Sequence, residues 1–476
     1  MATLSHPNPT WFRPDNRWLL VGACLSLALL IGVPALWSVK HMVLACGAVL
    51  VVGSVLFSVE RSLFLLLFLN IVLPIKILLV MRLPGGLRFQ EGLLLAVIVF
   101  ALIDLIYTKG LTLRLSRADI PLLTFLGATC LSLSIGLLRG NESWLAMRDV
   151  RYPFYYVAFF LVTNFFTERQ VLNRLVPLLM VAALGVSIGY ILEFIGAIDL
   201  SVGTSFVRVV RLHGLILPIA LLFMINQLLH DPKRYPRPLL IALFLPIGIA
   251  LVLTVGRSMW IALGVGLIVS VYLREFTLPR NQQRIGRSLF IILSMLVLMG
   301  LSVFFLQRIT GASIGAQVAA RSNVFLDIAQ APTFMARFFS YSAALEAISN
   351  HPLLGSGQGA TITFPIYNFD HGYFETWTTW TLDSLYLTLL FKMGVVGLVA
   401  FIWLCLRLLG MAYHTFVQRP EPQVKAFAAS AFAFLCGFGV LGLSDASMVN
   451  GRFALVYAVL FGMIAVLEGN KQSQPE

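Results

Sequence analysis

Four arginines lie next to apolar segments or in the long polar segment, where their side chains could bind an anion. Arg208 and Arg211 precede one apolar run, Arg257 opens another, and Arg337 lies in a long polar segment. A guanidinium donates paired hydrogen bonds to phosphate oxygens. Two or three of them converging would therefore suit a pyrophosphate and would stabilise its charge as it leaves. The alternative is that each arginine pairs with a nearby carboxylate or with lipid phosphate.

Asp383 is the candidate proton acceptor. It stands with Ser384 at the start of a long apolar run, in which glycines follow at Gly394 and Gly397. A carboxylate serves as a general base when it lies within hydrogen-bond reach of the hydroxyl that loses its proton. The alternative is that Asp383 is the N-cap of an apolar helix, because aspartate prefers that position.

Four further side chains are candidates for binding a substrate. Tyr341 follows Arg337 by four residues, so a helix would place both on one face. His351 opens a glycine-rich stretch whose composition favours a structural turn. His371 and His213 complete the set. His213 could equally lie at a membrane interface.

The composition predicts an all-α membrane protein. Of the 476 residues, 59% are hydrophobic and 12% are charged, and the mean hydropathy is +0.90. Soluble domains carry about 25% charged residues. Apolar runs near 90–107, 120–138, 257–273 and 425–443, among others, give about 12–14 membrane spans in a polytopic helical bundle.

The distribution of charge excludes nucleic-acid binding and predicts the orientation. The net charge is +13, but the basic residues form short clusters between spans, without a surface that could track phosphates. Basic loops favour the cytoplasmic face, so we expect the long polar segment 307–382 to lie outside. Arg13 and Arg17 precede the first apolar run without a cleavage site, and we expect that span to be retained.

The same pattern divides the chain into regions. We expect N-terminal spans in 1–200, spans with outer arginines in 201–306, a periplasmic loop in 307–382, C-terminal spans in 383–468 and a cytoplasmic tail in 469–476. The five cysteines form no CxxC pair, so neither a disulfide nor a zinc site is expected. The motifs indicate no metal or other cofactor.

The order of these motifs resembles the O-antigen ligase/polymerase superfamily. The resemblance rests on Arg211-x-x-Gly, a span opening with Arg257-Ser, Arg337-x-x-x-aromatic and His351-Pro-Leu-Leu-Gly-x-Gly, followed by Asp383-Ser-x9-Gly-x-x-Gly. It covers roughly residues 200–410. It implies a bacterial inner-membrane glycosyltransferase with a GT-C-like fold and a large periplasmic loop.

The resemblance also implies the substrates. The donor would be a glycan on undecaprenyl pyrophosphate and the acceptor another glycan, with membrane lipid and a chain-length regulator as possible partners. Asp383 stands where ligases of the superfamily carry a histidine, which favours an O-antigen or exopolysaccharide polymerase. Arg211, Arg257 and Asp383 would act in catalysis. The alternatives are an O-antigen ligase, a protein O-oligosaccharyltransferase and, from another class, a transporter of lipid-linked sugars.

Overall fold

The computed structural model describes residues 59–74, 88–108, 113–195, 197, 213–254, 256–277, 285–310, 332–368 and 373–469. These residues fall into two compact units. The first contains 59–66 and 88–108, and the second contains 67–74 and the described residues from 113 onward. The contacts of the candidate site described below belong to the second unit.

Fifteen helices and one hairpin form the described part of the chain. The first eight helices are α1 (Val59–Val72), α2 (Phe89–Thr108), α3 (Asp119–Leu138), α4 (Ser143–Asp149), α5 (Arg151–Tyr155), α6 (Val157–Phe165), α7 (Glu168–Phe194) and α8 (Ile216–His230). The others are α9 (Arg237–Leu253), α10 (Arg257–Thr277), α11 (Ile285–Thr310), α12 (Pro332–Asn350), α13 (Leu385–Gln418), α14 (Pro422–Leu441) and α15 (Gly451–Gly469).

Six of these helices are long and apolar enough to cross a membrane, namely α3, α7, α10, α13, α14 and α15, and the shorter α8 and α9 are also apolar. The predicted runs near 90–107 and 120–138 correspond to α2 and α3, and those near 257–273 and 425–443 correspond to α10 and α14. The predicted all-α polytopic architecture is confirmed. The spans predicted before residue 59 lie outside the described residues.

Helices α14 and α15 form the centre of the second unit. In their most apolar windows, 72% and 78% of the residues are buried, against 33% in α3. Helix α14 packs against α8, α10 and α13, and α15 packs against α6. Apolar side chains therefore cover these two helices on most sides, whereas α3 leaves much of its apolar surface for lipid.

Arginines that the sequence assigns to the cytoplasmic side lie together at one end of the helices. Arg117 pairs with Glu468 at 3.1 Å, and Arg407 donates to the Arg117 carbonyl at 3.3 Å. Arg419 pairs with Glu168 at 2.8 Å. These contacts agree with the alternation of basic loops along the sequence.

The polar segment contains a β-hairpin that the sequence analysis did not predict. Strand β1 (Ile362–Asn368) pairs antiparallel with β2 (Tyr373–Thr379), with Phe364 opposite Trp377. Along β1, Ile362 and Phe364 are buried and Thr363 is exposed. This alternation is the signal that could have predicted the strand. The buried face packs against α12 and fixes that helix beside the start of α13.

Candidate functional site

Three predicted site residues meet where the polar segment joins α13. Arg337 and Tyr341 lie one turn apart on α12, as predicted, and the Arg337 Nε donates to the Asp383 Oδ2 at 2.7 Å. The Arg337 side chain is 40% exposed and the Asp383 side chain 58% exposed. A substrate can therefore reach both groups from solvent.

Tyr341 belongs to the same charge cluster. Partial burial raises the pKa of the Tyr341 hydroxyl, the negative charge of Asp383 raises that pKa further, and the Arg337 charge opposes the rise. The phenol is therefore a neutral hydrogen-bond donor at neutral pH, next to a carboxylate and a guanidinium. Such a group can donate to a substrate oxygen without adding charge to the site.

Asp383 is not the N-cap of α13, so that alternative is wrong. The cap is Ser384, whose hydroxyl accepts from the Leu387 N–H at 3.5 Å. The Leu385 N–H donates to the Gly442 carbonyl at 2.8 Å, which attaches the start of α13 to the end of α14. The Asp383 carboxylate thus remains outside the helix, and it forms an ion pair with Arg337.

The glycine-rich stretch after His351 forms a turn against a kink in α13. Gly355, Gly357 and Gly359 have φ values of 70°, 88° and 81°. At the kink Gly394 has φ 63°, a value that L side chains rarely adopt. Two motifs that carry the family resemblance, the glycine-rich stretch and the one that contains Gly394, therefore meet in space, although Gly394 follows Gly355 by 39 residues in the sequence.

The turn supplies hydrogen bonds that the kink removes from the helix. The Ser356 and Gly357 N–H groups donate to the carbonyls of Phe391 and Lys392 at 2.7 and 3.0 Å, and the Pro352 carbonyl accepts from the Val395 N–H at 2.9 Å. Buried backbone groups need such partners. We conclude that the turn and the kink form one structural unit.

Side chains after α3 hold the other side of this turn. Arg139 donates to the Gly355 carbonyl at 2.5 Å, and the Asn141 amide donates to the carbonyls of Ser356 and Gln358 at 3.1 and 3.0 Å. Arg139 is one of the arginines on the predicted outer side. Its role in the structure is to bind a carbonyl of the glycine turn.

A buried ion pair lies beneath the turn. The Lys392 ammonium contacts the Asp149 carboxylate, and the two side chains are 5% and 8% exposed. The Gly359 N–H also donates to the Asp149 Oδ2 at 3.0 Å. Sequence reasoning treated Lys392 as isolated. The signal that could have predicted the pair is the lysine itself, because a cation within an apolar helix requires a carboxylate partner.

His213 lies in a separate buried cluster. Its ring packs against Phe453 at 4.4 Å between centroids, and neither ring nitrogen forms a hydrogen bond within the described residues. The neighbouring Arg452 donates to the Asn70 and Ile71 carbonyls at 3.1 and 3.3 Å, which caps the end of α1. Arg452 therefore has a structural role that the sequence analysis did not assign.

The remaining predicted residues differ in their surroundings. Arg257 is half-buried and is the first residue of α10. The start of α10 lies near His213, because a Cβ added to the next residue, Gly214, would contact the Met259 side chain in the first turn of α10. His351 is exposed at the start of the glycine turn, where its carbonyl accepts from the Gly355 N–H at 3.0 Å. The predicted residues Arg208, Arg211 and His371 lie outside the described residues.

Within 59–74 and the later described segments, no three His, Cys, Asp or Glu side chains are grouped to hold a metal.

Residues 241–402 match the family model described as O-antigen ligase. The matched segment contains Arg257, Arg337, Asp383, the glycine turn and Gly394. A comparison with curated proteins finds no match. The family match supports the predicted resemblance to the O-antigen ligase/polymerase superfamily over this segment. It supports glycosyl transfer of that general type in a multi-pass membrane protein, and it does not distinguish polymerases from ligases.

Proposed function

We propose that this protein is a polysaccharide polymerase that joins repeat units carried on undecaprenyl pyrophosphate. The observation that supports this most directly is the exposed Arg337–Asp383 pair beside Tyr341, within the segment that matches the O-antigen ligase family. The pair offers a base and an anion-binding group about one side chain apart. Both are needed to transfer a sugar from a pyrophosphate to a hydroxyl.

In this mechanism Asp383 accepts the proton of the acceptor hydroxyl. The hydroxyl oxygen bonds to the anomeric carbon of the donor, and the bond from that carbon to the pyrophosphate oxygen breaks on the opposite side, so the configuration is inverted. The electron pair of the broken bond stays on the pyrophosphate. The Arg337 guanidinium has further N–H groups beyond the one that binds Asp383, and these can bind a phosphate oxygen.

The other arginines complete the proposed anion site. Arg257 and Arg211 would bind the donor pyrophosphate, and Arg208 would add charge at the same side of the membrane. Tyr341, His351 and His371 would contact the glycans, whereas the His213 ring is fully buried against Phe453 and would not reach them. No metal is required, because guanidinium groups supply the positive charge that the leaving group needs.

We infer that the reaction takes place at the periplasmic face of the inner membrane. The arginines that form a cluster at one end of the helices, such as Arg117 and Arg419, follow the cytoplasmic preference of basic loops. The glycine turn and the Arg337–Asp383 pair belong to the segment predicted to lie on the other side. The segment would also exclude water, which would otherwise hydrolyse the donor.

The test is a deletion strain complemented with the wild type or with variants at the pair. Lipid-linked glycans and surface polysaccharide are separated by size. We expect single repeat units to accumulate in the deletion strain and long chains to return with the wild type. Asp383→Ala and Arg337→Ala should lower chain formation by about 100-fold or more, whereas Asp383→His tests whether the histidine of the ligases can replace the carboxylate.

Glu346→Gln is the matched control, since Glu346 is an exposed residue on the same helix as Arg337. It should form chains at the wild-type level. Normal chain length in the Asp383→Ala or Arg337→Ala strain, at equal protein in the membrane, would contradict the assigned site. We expect both variants to reach the membrane in wild-type amounts, because an exposed ion pair contributes only about 0–1 kcal/mol to stability. A loss of chains at equal protein levels therefore reports a loss of activity.

Ligation is the second candidate, and the description of the matched family as O-antigen ligase favours it. A ligase would use the same donor and transfer finished chains to another acceptor. In the deletion strain a missing ligase would leave full-length chains on the lipid carrier. A missing polymerase would leave single units instead, so the same size separation distinguishes the two activities.

A further inference from the structure

Two tryptophans and an arginine form a stack at the edge of the glycine turn. The Arg148 guanidinium carbon lies 3.7 Å from the centroid of the Trp380 ring and 5.3 Å from that of Trp144. Both distances fall within the range of cation–π contact. Trp144 is 58% exposed and Trp380 is 41% exposed. The stack therefore presents aromatic surface to the exterior with a fixed cation between the rings.

A small cavity with polar and apolar lining lies next to the stack; Tyr152, Leu389, Met393 and Val449 form part of its wall. Asp149 and Thr381, which follow Arg148 and Trp380 in the chain, line it together with Gln358, Thr388 and Lys392. Its volume is about 20 Å³, enough for a water or a hydroxyl group. Gln358 is 1% exposed, and its Oε1 accepts no hydrogen bond from the described residues. A buried carbonyl oxygen of this kind is available to a donor from a ligand.

The stack is close to the proposed base. Asp383 follows Trp380 by three residues, so their Cα atoms are at most about 11 Å apart. A short oligosaccharide in contact with Trp380 can therefore extend to the Asp383 carboxylate. The intervening Thr381 belongs to the cavity wall, which makes the path from the stack to the carboxylate polar.

We propose that Trp144, Arg148 and Trp380 form a subsite that binds the acceptor glycan. Pyranose rings have an apolar C–H face that covers an aromatic ring and hydroxyl groups that bind arginine, amide and carboxylate groups. The stack supplies the aromatic surface, and Arg148 and Gln358 supply polar groups beside it. A tryptophan that only anchors the protein in the membrane interface would not require a cavity that contains a buried amide oxygen without a hydrogen-bond donor. This inference rests on the proposed function, because it takes a glycan to be the substrate.

The test measures binding and elongation separately. The full chain in lipid nanodiscs is titrated calorimetrically with the repeat-unit oligosaccharide released from the lipid carrier of the deletion strain. Trp380→Ala and Trp144→Ala should each weaken binding by about tenfold, and Trp380→Phe should retain most of the affinity because it keeps an aromatic ring. Trp403→Ala is the control, since Trp403 is an exposed tryptophan within α13.

The outcomes distinguish this inference from the proposed function. Weaker oligosaccharide binding in both alanine variants, with unchanged thermal unfolding and wild-type affinity in Trp403→Ala, supports the subsite. If the wild type elongates glycan and Trp380→Ala and Trp144→Ala bind the oligosaccharide like the wild type, the subsite is wrong and the polymerase stands. If the wild type binds the oligosaccharide in the nanodiscs and restores no chains in cells, the polymerase is wrong. Loss of affinity in Trp380→Phe equal to that in Trp380→Ala would also overturn the stacking role.

Discussion

The Arg337–Asp383 pair has the exposure of a functional contact rather than a stabilising one. Its two side chains are 40% and 58% exposed, and water screens charges in that setting. Lys392 and Asp149, by comparison, are 5% and 8% exposed. The same chain therefore contains one ion pair that a substrate can reach and another that the fold encloses, and different substitutions will reveal the two roles.

Tyr341 gives a prediction about pH. Partial burial and the Asp383 charge raise its pKa above the ordinary value, about 10 in an unfolded chain. The folded state thus retains the phenolic proton to higher pH than the unfolded state does. Its contribution to stability is complete below about pH 10 and is lost as the pH rises through the folded pKa.

The Tyr341→Phe variant has no phenolic proton to lose. Its stability should therefore fall less than that of the wild type as the pH rises through the folded pKa of Tyr341. Thermal unfolding of both proteins in detergent between about pH 8 and 11 checks the difference. Parallel curves for the two proteins across the whole interval would contradict the raised pKa.

Helix α13 depends on the glycine turn for its shape. At Gly394 the backbone leaves the helical conformation, and the carbonyls of Phe391 and Lys392 accept from Ser356 and Gly357 instead of from the helix. A kink in a membrane helix requires other partners for the released backbone groups. The turn supplies them, so the polar segment and the helix should fold together.

Gly394→Ala should therefore destabilise the protein. A Cβ at this position would overlap with the Leu353 carbonyl, and its φ is 63°. A non-glycine residue in such a conformation costs about 1–3 kcal/mol before the overlap is counted. Gly410→Ala on the same helix is the control, because nothing lies within 4 Å of its Cβ. Thermal unfolding should show a lower Tm for Gly394→Ala alone.

Removal of one member of the buried pair should also destabilise the fold. Lys392→Met leaves the Asp149 carboxylate without its cation and should cost about 3–5 kcal/mol. The double variant Lys392→Met/Asp149→Asn removes both charges and should recover part of that loss. Chemical unfolding in detergent measures both values. Arg337→Met breaks the exposed Arg337–Asp383 pair and should change stability by no more than about 1 kcal/mol.

At the scale of the whole molecule, the distribution of charged groups predicts the orientation in the membrane. Asn350 is exposed at the end of α12, and Pro420 is exposed between α13 and α14. We expect a membrane-impermeant thiol reagent to label Asn350→Cys in cells with an opened outer membrane. Pro420→Cys should react only after the inner membrane is permeabilised. The reverse labelling pattern would place the Arg337–Asp383 pair in the cytoplasm and contradict the proposed reaction side.

Apolar periodicity and length were sufficient to predict most of the described helices. The runs near 120–138 and 257–273 differ from α3 and α10 by a few residues, because an apolar segment of this length must satisfy its backbone within a helix. The sequence analysis did not predict the hairpin, because it assigned the whole polar segment to a loop, although the buried Ile362 and Phe364 alternate with the exposed Thr363 in β1.

The sequence by itself determined the membrane class and the α12 face that carries Arg337 and Tyr341, because these follow from composition and spacing, and the order of its motifs carried the resemblance to the superfamily. The tertiary structure decided which groups meet. Asp383 pairs with Arg337, Lys392 with Asp149, and the glycine turn with the Gly394 kink, across 46, 243 and about 40 residues of chain. No local pattern contains such partners, because they are selected by the packing of helices that are distant in sequence and by the need to pair every buried charge and backbone group.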